Sequence, residues 1–244
     1  NAAGAHEAFT VTSTNGTWGT PTGAGFAAGV QHASPDDSFT SVSCTSAGTC
    51  VAVGTFKNAG TGEEAFTQRQ VNGTWGTATP VAFAAGVQSE PALASLEQVS
   101  CASAGNCTAV GYYKAASTAN HAFGVTLTNG VWGDPTPIAF AAGLQGPVPD
   151  AKFNAVSCVS AGNCVAAGYF TTATGGREAF TAMQTDTAGG ATTPSAAPAT
   201  LLRRPAPPRR PRWSSTAVRA GEPLSASCTA AAGTSYSITA TRNA

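Results

Sequence analysis

The sequence predicts an all-β protein built from repeated antiparallel units of four short strands, and three observations predict it. The first is a period: Cys44, Cys101 and Cys158 stand 57 residues apart, as do Cys50, Cys107 and Cys164. Trp18, Trp75 and Trp132 keep that step, and so do Phe9, Phe66, Phe123 and Phe180. A fixed step of this kind marks stacked structural units. The second is a recurrent Asn-Gly pair, at Asn15-Gly16, Asn72-Gly73 and Asn129-Gly130. Asn-Gly supplies the two positive φ values of a type I′ hairpin turn. The third is composition. Only 10% of residues are charged, against a usual quarter, and Gly, Ala, Ser and Thr dominate. Such a chain suits strands and tight turns better than helices, and no segment has helical periodicity.

The elements follow in order along the unit. One unit runs from Ser41 to Gln88 and the next from Gln98 to Gln145; a further copy opens at Ala155–Phe170, and the N-terminal copy is only a tail, His6–Gln31. The first strand should end at the leading Cys: Phe39–Cys44, Leu96–Cys101, Phe153–Cys158. A five-residue loop such as Thr45–Thr49 follows, with Gly48, Gly105 or Gly162 free to take a positive φ. The second strand is Cys50–Phe56, Cys107–Tyr113 or Cys164–Phe170, and its run Val51-Ala52-Val53 predicts burial on both faces. The third begins at an Ala-Phe pair such as Ala65-Phe66 and reaches the Asn-Gly turn; the fourth begins at the Trp. Four antiparallel strands per unit is the arithmetic of a β-propeller blade. A β-solenoid, with its shorter coil, ranks second. The recurrent Phe and Trp are read as packing between neighbouring units rather than as ligand contacts. The chain holds half a unit, two full units and most of another, about three blades, where propellers have at least four. The expectation is an incomplete, open arc, completed by further repeats or by another chain.

Two cysteines flanking a short hairpin loop can meet across paired strands. The expected bonds are Cys44–Cys50, Cys101–Cys107 and Cys158–Cys164. Zinc ligation and reduced buried thiols are the alternatives, but zinc favours closer Cys spacing and four ligands, and His6, His32 and His121 keep no common spacing to the pairs. Disulfides imply an oxidising compartment, hence an extracellular or cell-surface location. Cys228 has no partner at the repeat spacing.

The pattern Ser-Cys-x-Ala/Ser-x-Gly-x-Cys-x-Ala-x-Gly, as in Ser43–Gly54, followed by Asn-Gly-Thr-Trp at Asn72–Trp75, resembles the Cys-pair repeats of actinobacterial-type exported proteins. The resemblance covers roughly residues 6 to 185. It implies propeller-like blades of the kind that carry Asp-box or related repeats, and no particular activity. The Asp-box itself is not matched, because it sets Gly three residues before the Trp, and Gly16 and Gly73 stand two before it.

The formal net charge of zero hides two chemically different parts. Residues 1–199 carry five bases against eleven acids, a net of −6, and residues 200–244 carry seven Arg against Glu222, a net of +6. The division expected is a β-repeat region at 1–185, a Pro/Arg/Ala-rich linker or disordered segment at 186–224, and a degenerate partial repeat at 225–244. At the repeat step Asn-Gly and Trp should fall at 186–187 and 189, where the sequence has Asp186, Thr187 and Gly189. Thr192–Trp213 cannot form a packed strand core. It reads as a solvated linker, as the product of a shifted reading frame, or as a basic tail. In the last case Arg203, Arg204, Arg209, Arg210, Arg212 and Arg219 would meet an anionic polymer, and this tail is the only nucleic-acid signal in the chain. Ser225–Thr234 half-resembles Ser41–Thr49, out of phase with the period. The chain opens without Met or signal peptide, inside a repeat, and reads as a mature product or a piece of a longer polypeptide; no apolar run is long enough to span a membrane.

The sequence gives no catalytic, cofactor-binding or metal-binding constellation. The best acidic column, Glu7, Glu64, His121 and Glu178, recurs once per unit, which argues for a strand-edge role rather than for a glycosidase carboxylate pair. Asp36-Asp37 and Asp150 lie in inter-unit loops and match no calcium loop. Asn15, Asn72 and Asn106 open glycosylation sequons. The first two are more simply turn residues, and the third sits at a proposed disulfide. The residues expected to meet a ligand, a carbohydrate or a cell-surface polymer, are Tyr112, Tyr169 and His32. The function expected is a non-enzymatic binding or adhesion scaffold without cofactor. The alternatives are a piece of a glycosidase- or lyase-like propeller whose catalytic residues lie elsewhere, or a fragment without independent function.

Overall fold

The computed structural model describes residues 5–116, 119–140, 144–146, 150–184, 200–201, 224–229 and 235–240. Every regular element among the described residues is a β-strand. The chain divides into two compact bodies, Asn1–Leu202 and Arg203–Ala244.

The first body carries the period. Its partial first repeat holds β1 (Phe9–Thr10), β2 (Ser13–Thr14), β3 (Thr17–Trp18) and β4 (Thr22–Gly23). The second repeat holds β5 (Ser38–Ser46), β6 (Thr49–Lys57), β7 (Glu63–Val71), β8 (Thr74–Trp75) and β9 (Thr79–Pro80). The third holds β10 (Ala94–Ser103), β11 (Asn106–Lys114), β12 (Asn120–Thr128), β13 (Val131–Trp132) and β14 (Thr136–Pro137). The fourth holds β15 (Ala151–Ser160), β16 (Asn163–Thr171), β17 (Arg177–Gln184) and β18 (Thr200–Leu201). Each full repeat is an antiparallel meander, β5-β6-β7-β8 and β10-β11-β12-β13, with β9 and β14 also pairing the third strand. In the fourth repeat β18 sets Leu201 opposite Phe180, where Pro80 faces Phe66 and Pro137 faces Phe123.

The local chemistry explains the turns. Asn15, Asn72 and Asn129 have φ near +50° and the following glycines φ of 81° to 85°, as a type I′ turn requires. The loop after the leading Cys is shorter than its composition suggests. The first strands run on through Cys44, Cys101 and Cys158, leaving two-residue turns such as Ala47-Gly48. A register shift between Cys44 and Ser46 absorbs the extra residue as a bulge. The fourth strand likewise starts one residue before the Trp and is broken in two. A second bulge falls at Thr40, Glu97 and Asn154. There the strand crosses so closely that a Cβ on Gly54, Gly111 or Gly168 would lie 1.9, 2.0 or 2.0 Å from the carbonyl oxygen of Ser38, Ser95 or Lys152. That is why the Cys-x-Ala-x-Gly pattern ends in glycine.

The core lies between repeats rather than inside them. Val51, Val53, Ala65 and Val81 of the second repeat pack with Leu96, Val99, Phe123 and Leu127 of the third. Val110 and Ala122 of the third pack with Phe153, Val156, Phe170 and Phe180 of the fourth. The connector that leaves each repeat lies on the next one. Phe26 stacks on Phe56 and meets Phe66; Phe83 packs at a tilt on Tyr113 and meets Phe123, and Phe140 packs at a tilt on Phe170 and meets Phe180. Backbone bonds fix the connector at each step: His32 to Lys57, Ser89 to Lys114 and Gly146 to Thr171. Phe66, Phe123 and Phe180 of the Phe column therefore pack between repeats, whereas Phe9 is exposed. The Trp column packs there less: Trp132 is partly buried against this core, whereas Trp18 is exposed.

The second body shows one hairpin, β19 (Leu224–Thr229) with β20 (Ser235–Ala240). Cys228 stands opposite Tyr236, where the repeats set Cys opposite Cys. Asp186, residues 192–199 and 202–213 with the arginines among them, and Arg219 lie outside the described residues, while Thr200–Leu201, inside the stretch read as unable to form a packed strand core, pairs with β17.

Candidate functional site

Most recurrent residues are consumed by construction. Three cysteine pairs are at bonding distance, with Sγ–Sγ of 2.03 Å for Cys44–Cys50, 2.06 Å for Cys101–Cys107 and 2.10 Å for Cys158–Cys164. Each pair sits directly across a ladder at the bulge, where a crosslink holds a register that Ser- and Gly-rich strands specify weakly. The first strands are also tied to one another by side chains. The Val99 amide donates to Ser41 Oγ at 3.3 Å and the Cys101 amide to Ser43 Oγ at 3.0 Å. One repeat on, the Val156 and Cys158 amides donate to the side chains of Gln98 and Ser100.

Residues that do not recur gather where the first strands begin and the second strands end. Ser38 faces Thr55 across the ladder, Ser95 faces Tyr112 and Lys152 faces Tyr169. In the second repeat Thr55 donates to the Ala94 carbonyl at 3.1 Å, a small side chain closing a repeat junction. In the third repeat Tyr112 holds that place, and Lys152 Nζ lies 3.7 Å from its ring centroid. Arg177 Cζ lies 4.4 Å from the ring centroid of Tyr169. Both are cation–π contacts, which reach across only about 6 Å. Arg177 also meets Asp150 Oδ2 at 3.3 Å, and Asn120 donates to Asp150 Oδ1 at 2.9 Å. Burial raises the pKa of Tyr112, and the charges of Glu97 and Glu63, then Tyr169 and Asp150, push the same way. The phenol therefore stays protonated, a hydrogen-bond donor at neutral pH. Two tyrosines, the two cations over their rings and the Asp150 carboxylate held by Arg177 and Asn120 thus lie along adjacent repeats.

Of the three residues expected to meet a ligand, the structure brings Tyr112 and Tyr169 into this neighbourhood. His32 stands apart in the connector between the first and second repeats. Its Nδ1 lies 3.0 Å from the Ser34 amide and 3.1 Å from the Ser34 carbonyl oxygen, and its own amide donates to Lys57. Lys152, Arg177 and Asn120 were not singled out from the sequence. The available signal was their place in the period: Ser38, Ser95 and Lys152 are equivalent, as are His6, Glu63, Asn120 and Arg177.

The acidic column is not assembled. Glu64 accepts from Asn58 at 2.6 Å, and His121 stacks on Tyr113 at 5.5 Å, its pKa lowered by burial. Each stands at the start of its own third strand. Asp36 pairs with His6 at 3.1 Å, two repeats away from Asp150, and among the described residues no cluster of three or more His, Cys, Asp and Glu could hold a metal ion. Asn15 and Asn72 lie in type I′ turns. Asn106 Nδ2 is bonded to Ser103 and to the Ala104 carbonyl. At the opposite end from the tyrosines, the disulfides and Asn-Gly turns of the second and third repeats line a groove of about 510 Å³. Arg69 reaches across it to donate to the Gly130 carbonyl at 2.6 Å. No described helix is long and apolar enough to cross a membrane. No protein-family model and no curated protein sequence matches the chain.

Proposed function

We propose that the chain is an exported scaffold of propeller-type blades that binds a carbohydrate or similar polyhydroxylated surface polymer without transforming it. The observation that carries this reading is that Tyr112 and Tyr169 hold equivalent positions in adjacent repeats, each with a cation over its ring, and that Arg177 and Asn120 hold the Asp150 carboxylate beside them. Aromatic faces bind the apolar faces of sugar rings, and flanking carboxylates and ammonium or guanidinium groups take up hydroxyls. The propeller reading is supported by the four-strand meander and by first strands that touch their counterparts one repeat on through Ser41, Ser43 and Ser100. Export is supported by the three cysteine pairs, since such bonds persist in oxidising compartments.

The test is a glycan array and polysaccharide pull-down with the full chain, followed by calorimetry on any hit. Replacing both Tyr112 and Tyr169 by alanine should weaken binding at least about tenfold, the loss of one or two stacking contacts. His32→Ala should leave it unchanged. A screen without a ligand, or a hit indifferent to both tyrosines, would count against the reading.

A further inference from the structure

Among the described residues the first repeat shows strands equivalent to the third and fourth of the other repeats, and the place where a first and second strand would lie is framed on two sides by described residues. One side is the edge of β1. In the other repeats the equivalent third strand pairs with the second strand along its length: Gly54 with Phe66, Gly111 with Phe123, Gly168 with Phe180. Among the described residues β1 pairs with β4 alone. Phe9 accordingly is 60% exposed, while Phe66, Phe123 and Phe180 are at 0%. The other side is β5. Val42 is 60% exposed, whereas its equivalents Val99 and Val156 are at 4% and 6%, because the preceding repeat covers them. Val42 and Cys44 also hold the positions whose amides, at Val99, Cys101 and Cys158, are taken by Ser41, Ser43 and Ser100 of the preceding first strand.

We infer that this face is a docking site for one occupant, a disulfide-closed hairpin of the repeat's own Ser-x-Ser-Cys type, contributed by another copy of the repeat. The junctions already present in the molecule define the fit, and the site continues them by one step. The hairpin's second strand would add to the β1 edge by backbone pairing. Its first strand would set two serine hydroxyls on the amides of Val42 and Cys44. An aromatic at each strand, as Phe39 and Phe56 stand around Phe66, would cover Phe9. An aromatic flanked by an open edge and a row of amides is a liability that such a strand removes.

The test uses the full chain and a fluorescent, oxidised peptide with the sequence of residues 38–57, read by polarisation. The expected result is saturable binding. Removing both hydroxyls (Ser41→Ala with Ser43→Ala in the peptide) should weaken it about tenfold, in line with two hydrogen bonds. Val42→Arg in the protein should abolish it while leaving the far-ultraviolet circular dichroism unchanged, since Val42 is exposed. Phe9→Asp should do the same from the other side of the site. No binding up to about 1 mM by a folded chain, equal binding of a scrambled peptide, or indifference to both protein variants overturns the assignment. So does self-association, measured by light scattering, that the peptide fails to displace, because the face would then take a second copy in another geometry.

Discussion

Phe66 and Phe123 are sealed from solvent at 0% exposure, and Phe9, at the same place in the first repeat, is 60% exposed. The far end shows the same contrast. Val51 is 5% exposed and its fourth-repeat equivalent Val165 is 47%; Ala65 and Ala122 are fully buried and Ala179 is exposed. The motif is shared by inner and outer repeats, so the difference is not written in the repeat. It belongs to the junctions. A repeat here supplies half of each interface, and its apolar residues count toward stability only when a neighbour supplies the other half, as in other arrays whose energy is a sum of units and nearest-neighbour terms.

The largest effect should come from what a repeat needs on its own. Gly111→Ala places a Cβ 2.0 Å from the Ser95 carbonyl oxygen, and Gly168→Ala does so against Lys152. Backbone cannot yield as a side-chain tip can, so each change should cost about 4 kcal/mol or more, or prevent folding. Gly124→Ala, whose Cβ would meet its nearest atom at an ordinary 3.7 Å, is the control and should cost under about 1 kcal/mol. Urea unfolding of the three variants reads this directly. The losses at Gly111 and Gly168 should match, because the bulge crossing is internal to the repeat. If Gly168→Ala were tolerated and Gly111→Ala were not, the constraint would come from the junction instead.

Next in size is the junction itself. Phe123→Ala removes a ring that meets Phe83 from the preceding connector and Tyr113 of its own repeat. A fully buried phenylalanine lost to alanine costs about 3–5 kcal/mol. Phe9→Ala should cost under about 1 kcal/mol, since most of that ring already faces water. Parallel thermal melts separate the two. Equal losses would mean that burial of the column is a property of each unit and not of its neighbours.

The period made much of this legible. Aromatic columns, paired cysteines and Asn-Gly turns are local signals repeated at one step, and chemistry that must recur in every unit leaves such a trace. What stayed hidden depends on a face rather than on a spacing. That Ser41 and Ser43 serve the next repeat's amides requires knowing which edge of β5 looks outward. The need for Gly54, Gly111 and Gly168 follows from a bulge at Thr40, Glu97 and Asn154, three residues of different chemistry that share only their place. The site was half legible for the same reason. Tyr112 and Tyr169 are equivalent positions, so the period carries both to one end, whereas His32 belongs to a connector that the next repeat captures.

The smallest effect concerns a place where one junction differs from the others. Asp37 is buried where the third and fourth repeats have Ala94 and Ala151, both buried alanines. Gln31 donates to one carboxylate oxygen, and Oδ1 has no partner. Burial raises the pKa of Asp37 above its ordinary 3.8, and the charges of Glu7 and Asp36 add to the rise against the hydrogen bonds from Gln31 and Lys57. Between the ordinary and the raised value the folded chain binds more protons than the unfolded one, so this group's contribution to stability falls as pH rises through that window and stays low above it. Asp37→Asn keeps an acceptor for Gln31 and removes the charge. It should stabilise the protein at pH 7 by about 1 kcal/mol, the scale of one imperfectly satisfied buried polar group, with the gain shrinking toward zero as pH falls to about 4, near the ordinary aspartate value. Guanidinium unfolding at several pH values measures it, and a gain that persists unchanged in acid would place the cost in packing rather than in charge.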